Sequence, residues 1–150
     1  MADEAKRDNA PENMLANSTD GEGAPEKPDE ELSAAQAFLA TCDAYHQLTA
    51  DEAEEFVDAG GVTVVDVRSA AEYADGHLRG CLHIPAVEVG TTPPPALAEH
   101  QHDPVLLYCR TGSRSKKTAA KLIKMGFTNI YDMAGGILDW SGVTVGGDKG

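Results

Sequence analysis

The hydrophobic pattern changes period several times along the chain, and each change marks an element. "VTVVDV" (62–67) and "PVLLYC" (104–109) are continuous apolar runs of strand length, the pattern of strands buried on both faces. "NIYDM" (129–133) and a short "CLHIP" (81–85), stopped by Pro85, read as further strands. Helical spacing lies between them. "TADEAEEFVDAGG" opens on Thr49 and Glu52 as a capping box and stops at paired glycines, and "SAAEYADG" repeats the device with Ser69, Glu72 and Gly76. "RSKKTAAKLIKMG" (114–126) offers Ala119, Leu122, Ile123 and Met125 to a sheet, "GTTPPPALAEHQ" holds one helical turn, and "GGILDW" opens a last short helix. Strands separated by helices predict an α/β fold: a parallel sheet of about five strands between two helical layers.

The first 30 residues break this pattern. They are rich in Asp, Glu, Asn, Pro, Gly and Ala and poor in large apolar residues, and are expected to form a disordered acidic tail. A short amphipathic helix is expected over 31–44, capped by Ser33 and Gln36, with Ala35, Phe38, Leu39, Cys42 and Tyr45 near one face. The folded domain is placed at 45–150.

Charge narrows the function. The net charge is −13; residues 1–45 hold 11 acids and 3 bases, and the rest hold 14 and 9. That balance speaks against nucleic acid and against an anionic membrane surface. The bases of the second part gather at Arg110, Arg114, Lys116, Lys117, Lys121 and Lys124, a local positive field suited to a small anion. No apolar run reaches the length of a membrane span. The start "MADEAKRDNAPENML" has neither a basic nor an apolar leader region, so a cytoplasmic location is expected, with an exported or envelope-tethered chain after removal of a leader as the alternative. A monomer is expected.

Three cysteines, Cys42, Cys81 and Cys109, without a CxxC or a Cys/His cluster, point away from a disulfide framework or a metal site, and no cofactor is implied. Cys42 and Cys81 read as packing residues. Cys109 is different. It ends a buried strand and is followed by "RTGSRS", small residues and two arginines, with a helix expected about six residues later. Ligands of open parallel sheets bind at the carboxyl ends of strands. N–H groups at a helix amino end are unpaired and carry partial positive charge, and such surroundings favour a thiolate. The field alone supplies the nucleophile, so no general base is assigned; His77, His83, His100 and His102 read as structural or exposed.

The runs "VVDVRSAAEYADGHLRGCLHIP", "VLLYCRTGSRS" and "AAKLIKMGFTNIYDMAGGILDW", covering about Tyr45 to Trp140, resemble the rhodanese homology domain, the sulfurtransferase module. The resemblance implies a rhodanese-like three-layer fold, with Cys109 accepting a sulfur atom as a persulfide. It further implies that Arg110, Thr111, Gly112, Ser113, Arg114 and Ser115 form the cradle. Arg110 and Arg114 would orient a small anionic donor such as thiosulfate, the Thr111–Ser115 N–H groups would hold the terminal sulfur, and cyanide, a thiol or a protein would accept it. Asp66, Arg68, Glu72, His77 and Gly80 are expected to be scaffold, and Trp140 to pack in the core. Phosphatases and arsenate reductases of similar fold use C-x5-R; here the spacing is C-x4-R, and Ser115 stands where that arginine would fall. A non-catalytic binding module of the same fold is the other alternative.

Overall fold

The computed structural model describes residues 29–146. The chain divides into a unit over Met1–Ser33 and a unit over Ala34–Gly150; the expected tail lies almost wholly outside the described residues. Helix α1 spans Glu30–Leu39. Its cap is Asp29, whose carboxylate accepts from the Leu32 N–H at 3.0 Å; Ser33, expected as the cap, lies inside the helix. Acids at 29, 30 and 31 suit the positive end of a helix, which explains the earlier start. Cys42 falls beyond the helix, half-buried, with its sulfur 3.2 Å from the Phe38 carbonyl.

The following elements are β1 (Tyr45–Leu48), α2 (Ala50–Ala59), β2 (Thr63–Asp66), α3 (Ala70–Asp75), β3 (His77–Leu78) and β4 (Leu82–His83). Then come β5 (Val105–Tyr108), α4 (Ser113–Lys124), β6 (Ile130–Met133) and β7 (Thr144–Val145), with 3-10 turns at Ala86–Glu88, Pro95–Leu97 and Gly136–Asp139. The main sheet runs β1-β6-β5-β2-β4, all parallel. Five parallel strands with helices are the architecture expected from the alternating pattern. Both capping boxes on α2 and α3 form as read.

Three details differ. β1 has no counterpart among the strands expected from sequence, since Tyr45 falls near the face of the helix expected over 31–44; the chain instead turns after Leu39 and "YHQL" pairs with β6. β3 and β7 form a separate two-residue antiparallel ladder that carries no periodic signal. "GGILDW" gives a 3-10 turn rather than an α-helix.

Strand alternation distributes the core. Val65, Val67, Val105, Leu107, Cys109 and Ile130 share one cluster with Ala119, Ala120 and Leu122 of α4 and with Ala35 and Leu39. Val64, Leu106, Tyr108 and Met133 share the other with Ala53 of α2, and Trp140 packs half-buried against it. A period of two thus commits Cys109 to the α4 face and Tyr108 to the opposite face. No helix among the described residues is long and apolar enough to cross a membrane.

Candidate active site

The ladder continues past β5, since the Val67 N–H reaches the Tyr108 carbonyl at 3.1 Å, and Cys109 follows at the carboxyl edge of the sheet. α4 begins only four residues later, at Ser113, nearer than the sequence suggested. The tighter turn is made by Gly112, which caps the helix at φ 110°, a left-handed conformation that residues with a Cβ rarely adopt. Its N–H points at the Cys109 sulfur at 3.0 Å, and the Ser115 N–H does so at 3.4 Å. Cys109 is 1% exposed. Two backbone donors at the positive end of a helix therefore converge on a sheltered sulfur, the arrangement that stabilises negative charge there. Among the described residues no group of His, Cys, Asp or Glu is placed to hold a metal ion.

The remaining cradle residues separate into three groups. Arg110 and Thr111 are exposed at the rim, and no acid among the described residues pairs with Arg110. Ser113 starts the helix. Arg114, expected to orient a donor, is held in a two-pronged ion pair by Glu72, at 2.7 and 2.9 Å. Glu72 is also the capping acid of α3, so one carboxylate ties that helix to the cysteine loop. Capping motifs are legible in sequence; a partner 42 residues away is not.

The Arg114 hydrogen bond, ahead of the other influences, holds the Glu72 carboxyl down at about 2 from an ordinary 4.5. A depressed carboxyl stabilises the fold above its unfolded value and loses that contribution as pH falls through the folded value. Chemical denaturation of wild type and Glu72→Gln across pH should therefore show the largest stability gap at neutral pH. The gap should close between about 4.5 and 2.

The loop is braced from the carboxyl-terminal side as well. The Ile137 N–H donates to the Cys109 carbonyl at 2.9 Å, and the Leu138 N–H to the Arg110 carbonyl at 3.3 Å. This approach requires Gly136, where a Cβ would stand 2.3 Å from the Arg110 carbonyl oxygen.

Beneath the sulfur lies a group that sequence reasoning missed. The Ser115 hydroxyl is 3.6 Å from Cys109 Sγ and donates to Asp132 Oδ1 at 2.7 Å, while the Tyr45 hydroxyl donates to Asp132 Oδ2 at 2.5 Å. Asp132 and Ser115 are fully buried. Burial pushes the Asp132 carboxyl up, against the opposing pull of its two hydroxyl partners and of Lys116. The one signal available beforehand was an aspartate inside the apolar strand "NIYDM". Burial and then the charge of Asp132 raise the Tyr45 phenol in turn.

The opposite face holds the expected scaffold. Asp66 accepts from the Arg68 side chain, the Arg68 N–H and the Tyr108 hydroxyl, and Arg68 reaches the Gly76 carbonyl. His77 stacks on Tyr73, and a ring nitrogen of His83 lies 2.8 Å from the Arg68 carbonyl. His100 and His102 sit in a surface turn beside Asp103 and Thr128. The buried Cys81 thiol is pushed up to about 11 by burial, as suits a packing residue.

Comparison with known proteins places this arrangement. The family model of the rhodanese-like domain matches residues 49–142. A curated tRNA uridine(34) hydroxylase from Yersinia pestis is 31% identical over 99 residues, 64% of this chain but only 28% of the relative's length. An Escherichia coli structure of rhodanese with anions is 30% identical, has a TM-score of 0.50, and covers 57% of this chain and 99% of its own. A Rhodopseudomonas palustris protein described as a possible tyrosine phosphatase has a TM-score of 0.62 at 21% identity, covering 79% and 94%, and so shares the fold alone. With the matched segment running from the cap of α2 through the residues that brace the cysteine loop, the chain belongs to the rhodanese-like domain family.

Proposed function

We propose that the chain is a sulfurtransferase that carries sulfane sulfur as a persulfide on Cys109. The observation that carries this reading is the pair of N–H groups, from Gly112 and Ser115, that meet on the Cys109 sulfur at the amino end of α4. In the first step the thiolate electron pair forms an S–S bond to the outer sulfur of thiosulfate. The donor's own S–S bond breaks, its electron pair leaves with sulfite, and the terminal sulfur on Cys109 carries the negative charge. In the second step an acceptor takes that sulfur and the thiolate returns. The N–H groups at the start of α4 stabilise the anion in each state without reorganising, and exposed Arg110 draws the donor to the rim.

The phosphatase reading has less support, because Ser115 occupies the place of the phosphate-binding arginine and Arg114 is engaged by Glu72. The tRNA reaction named for the Yersinia relatives belongs to much longer proteins. We do not assign it to a chain of net charge −13, since binding to nucleic acid rests on phosphate neutralisation.

The test is intact mass spectrometry after incubation with thiosulfate. A gain of one sulfur atom, removed by cyanide with release of thiocyanate, is the expected result. An unmodified protein with thiosulfate, 3-mercaptopyruvate and glutathione persulfide alike would overturn the reading in favour of a binding module.

A further inference from the structure

We propose that Cys109 and Asp132 share, through Ser115, a single proton and a single negative charge, so that Asp132 acts through Ser115 as the positioning residue for the nucleophile. The inference rests on the reading of Cys109 as the reactive sulfur, and the geometry is that of a relay. Ser115 Oγ stands between the two groups, 3.6 Å from the sulfur and 2.7 Å from Asp132 Oδ1, with the Gly112 carbonyl, 3.1 Å away, as its other acceptor among the described residues.

A serine hydroxyl has one proton to donate. When Asp132 is ionised, that proton is committed to the carboxylate and the serine oxygen faces the sulfur as an acceptor, which suits a protonated thiol. When Asp132 is protonated, its O–H donates to Ser115 and the serine proton is released toward the sulfur, which suits a thiolate.

The two arrangements are related by a balanced transfer. The Cys109 S–H bond breaks and its electron pair stays on sulfur; Ser115 gains that proton and passes its own to Asp132. The total charge remains that of one anion. Placing a second negative charge in this buried space is costly, because like charges at close range do not both ionise easily. The thiolate thus forms without sending a proton to solvent.

The groups facing Asp132 agree with this assignment. From β1 comes the Tyr45 hydroxyl, and from α4 the Ser115 hydroxyl and the charge of Lys116; the Cys109 thiol, at the end of β5, lies beyond Ser115. Asp132 forms no ion pair with a described residue. Lys116 directs its ammonium to the Gly112 carbonyl, at 3.3 Å. A wholly buried carboxyl held by two hydroxyls is one whose proton can be retained or passed on.

The test needs no sulfur donor, so it stands or fails independently of the proposed reaction. Ultraviolet thiolate absorbance is followed against pH, with the Cys109→Ser trace subtracted. Wild type should titrate in two steps, the first as the shared charge enters and the second as the pair loses its last proton. Asp132→Asn, which cannot take up a proton, should titrate in one.

Tyr45→Phe supplies a second variant that leaves the core volume intact and lies away from the sulfur. Loss of its hydrogen bond makes the ionised Asp132 less favourable, so the charge should move to sulfur and the amplitude of the first step should rise severalfold. A single step in wild type, or no change of amplitude in Tyr45→Phe, would overturn the proposal.

Discussion

Replacing Cys109 with serine should leave a folded protein that acquires no sulfur from thiosulfate and forms thiocyanate only at background. The expected loss is on the order of 10^4-fold or more, the scale on which removing a covalent nucleophile acts. Serine occupies nearly the same volume, and its hydroxyl oxygen can accept the Gly112 and Ser115 N–H groups that now meet the sulfur. Stability should therefore change by about 1 kcal/mol or less. Turnover assays beside urea unfolding separate the two effects. Retained turnover would show that Cys81 or Cys42 carries sulfur instead.

The second large effect is on stability. Asp66 is fully buried and accepts four hydrogen bonds from Arg68, through the backbone N–H, Nε to both carboxylate oxygens, and Nη2, with a fifth from the Tyr108 hydroxyl. Asp66→Ala leaves the Arg68 guanidinium buried without its counter-charge and takes the carboxylate acceptor from the Tyr108 phenol. Breaking a buried pair in this way costs about 3–5 kcal/mol, against a total of roughly 5–15 kcal/mol for a domain. Urea denaturation should show the midpoint falling accordingly. Adding Arg68→Met to Asp66→Ala should recover part of the loss, because the stranded charge is then absent. If the single variant lost less than about 1 kcal/mol, the network would be contributing little.

These two predictions differ in how far they were legible beforehand. Cys109 stood out because its neighbours on both sides have unmistakable periods, an apolar strand before and an amphipathic helix after. Thr49 with Glu52 and Ser69 with Glu72 were equally clear, since a capping box is closed within four residues. What could not be read were partners across the fold. The Glu72 partner of Arg114 lies in another helix, and no local pattern in the sequence marks it. In sequence Asp132 is one polar residue of "NIYDM", and the β1–β6 pairing is what brings Tyr45 to it. β1 itself is four residues long with both inner positions exposed, too short for its period to outweigh the helical spacing before it.

The clamp formed by Ile137 and Leu138 on the carbonyls of Cys109 and Arg110 also bears on the order in which the protein matures. A chain emerging from the ribosome exposes the cysteine, its loop and all of α4 before Gly136 and the residues that brace that loop have been made. β6, which seats between β5 and the early strand β1, arrives in the same late stretch. The cysteine loop thus stays without this brace until that stretch has been made. The loop around Cys109 gains that brace only when synthesis has passed Leu138.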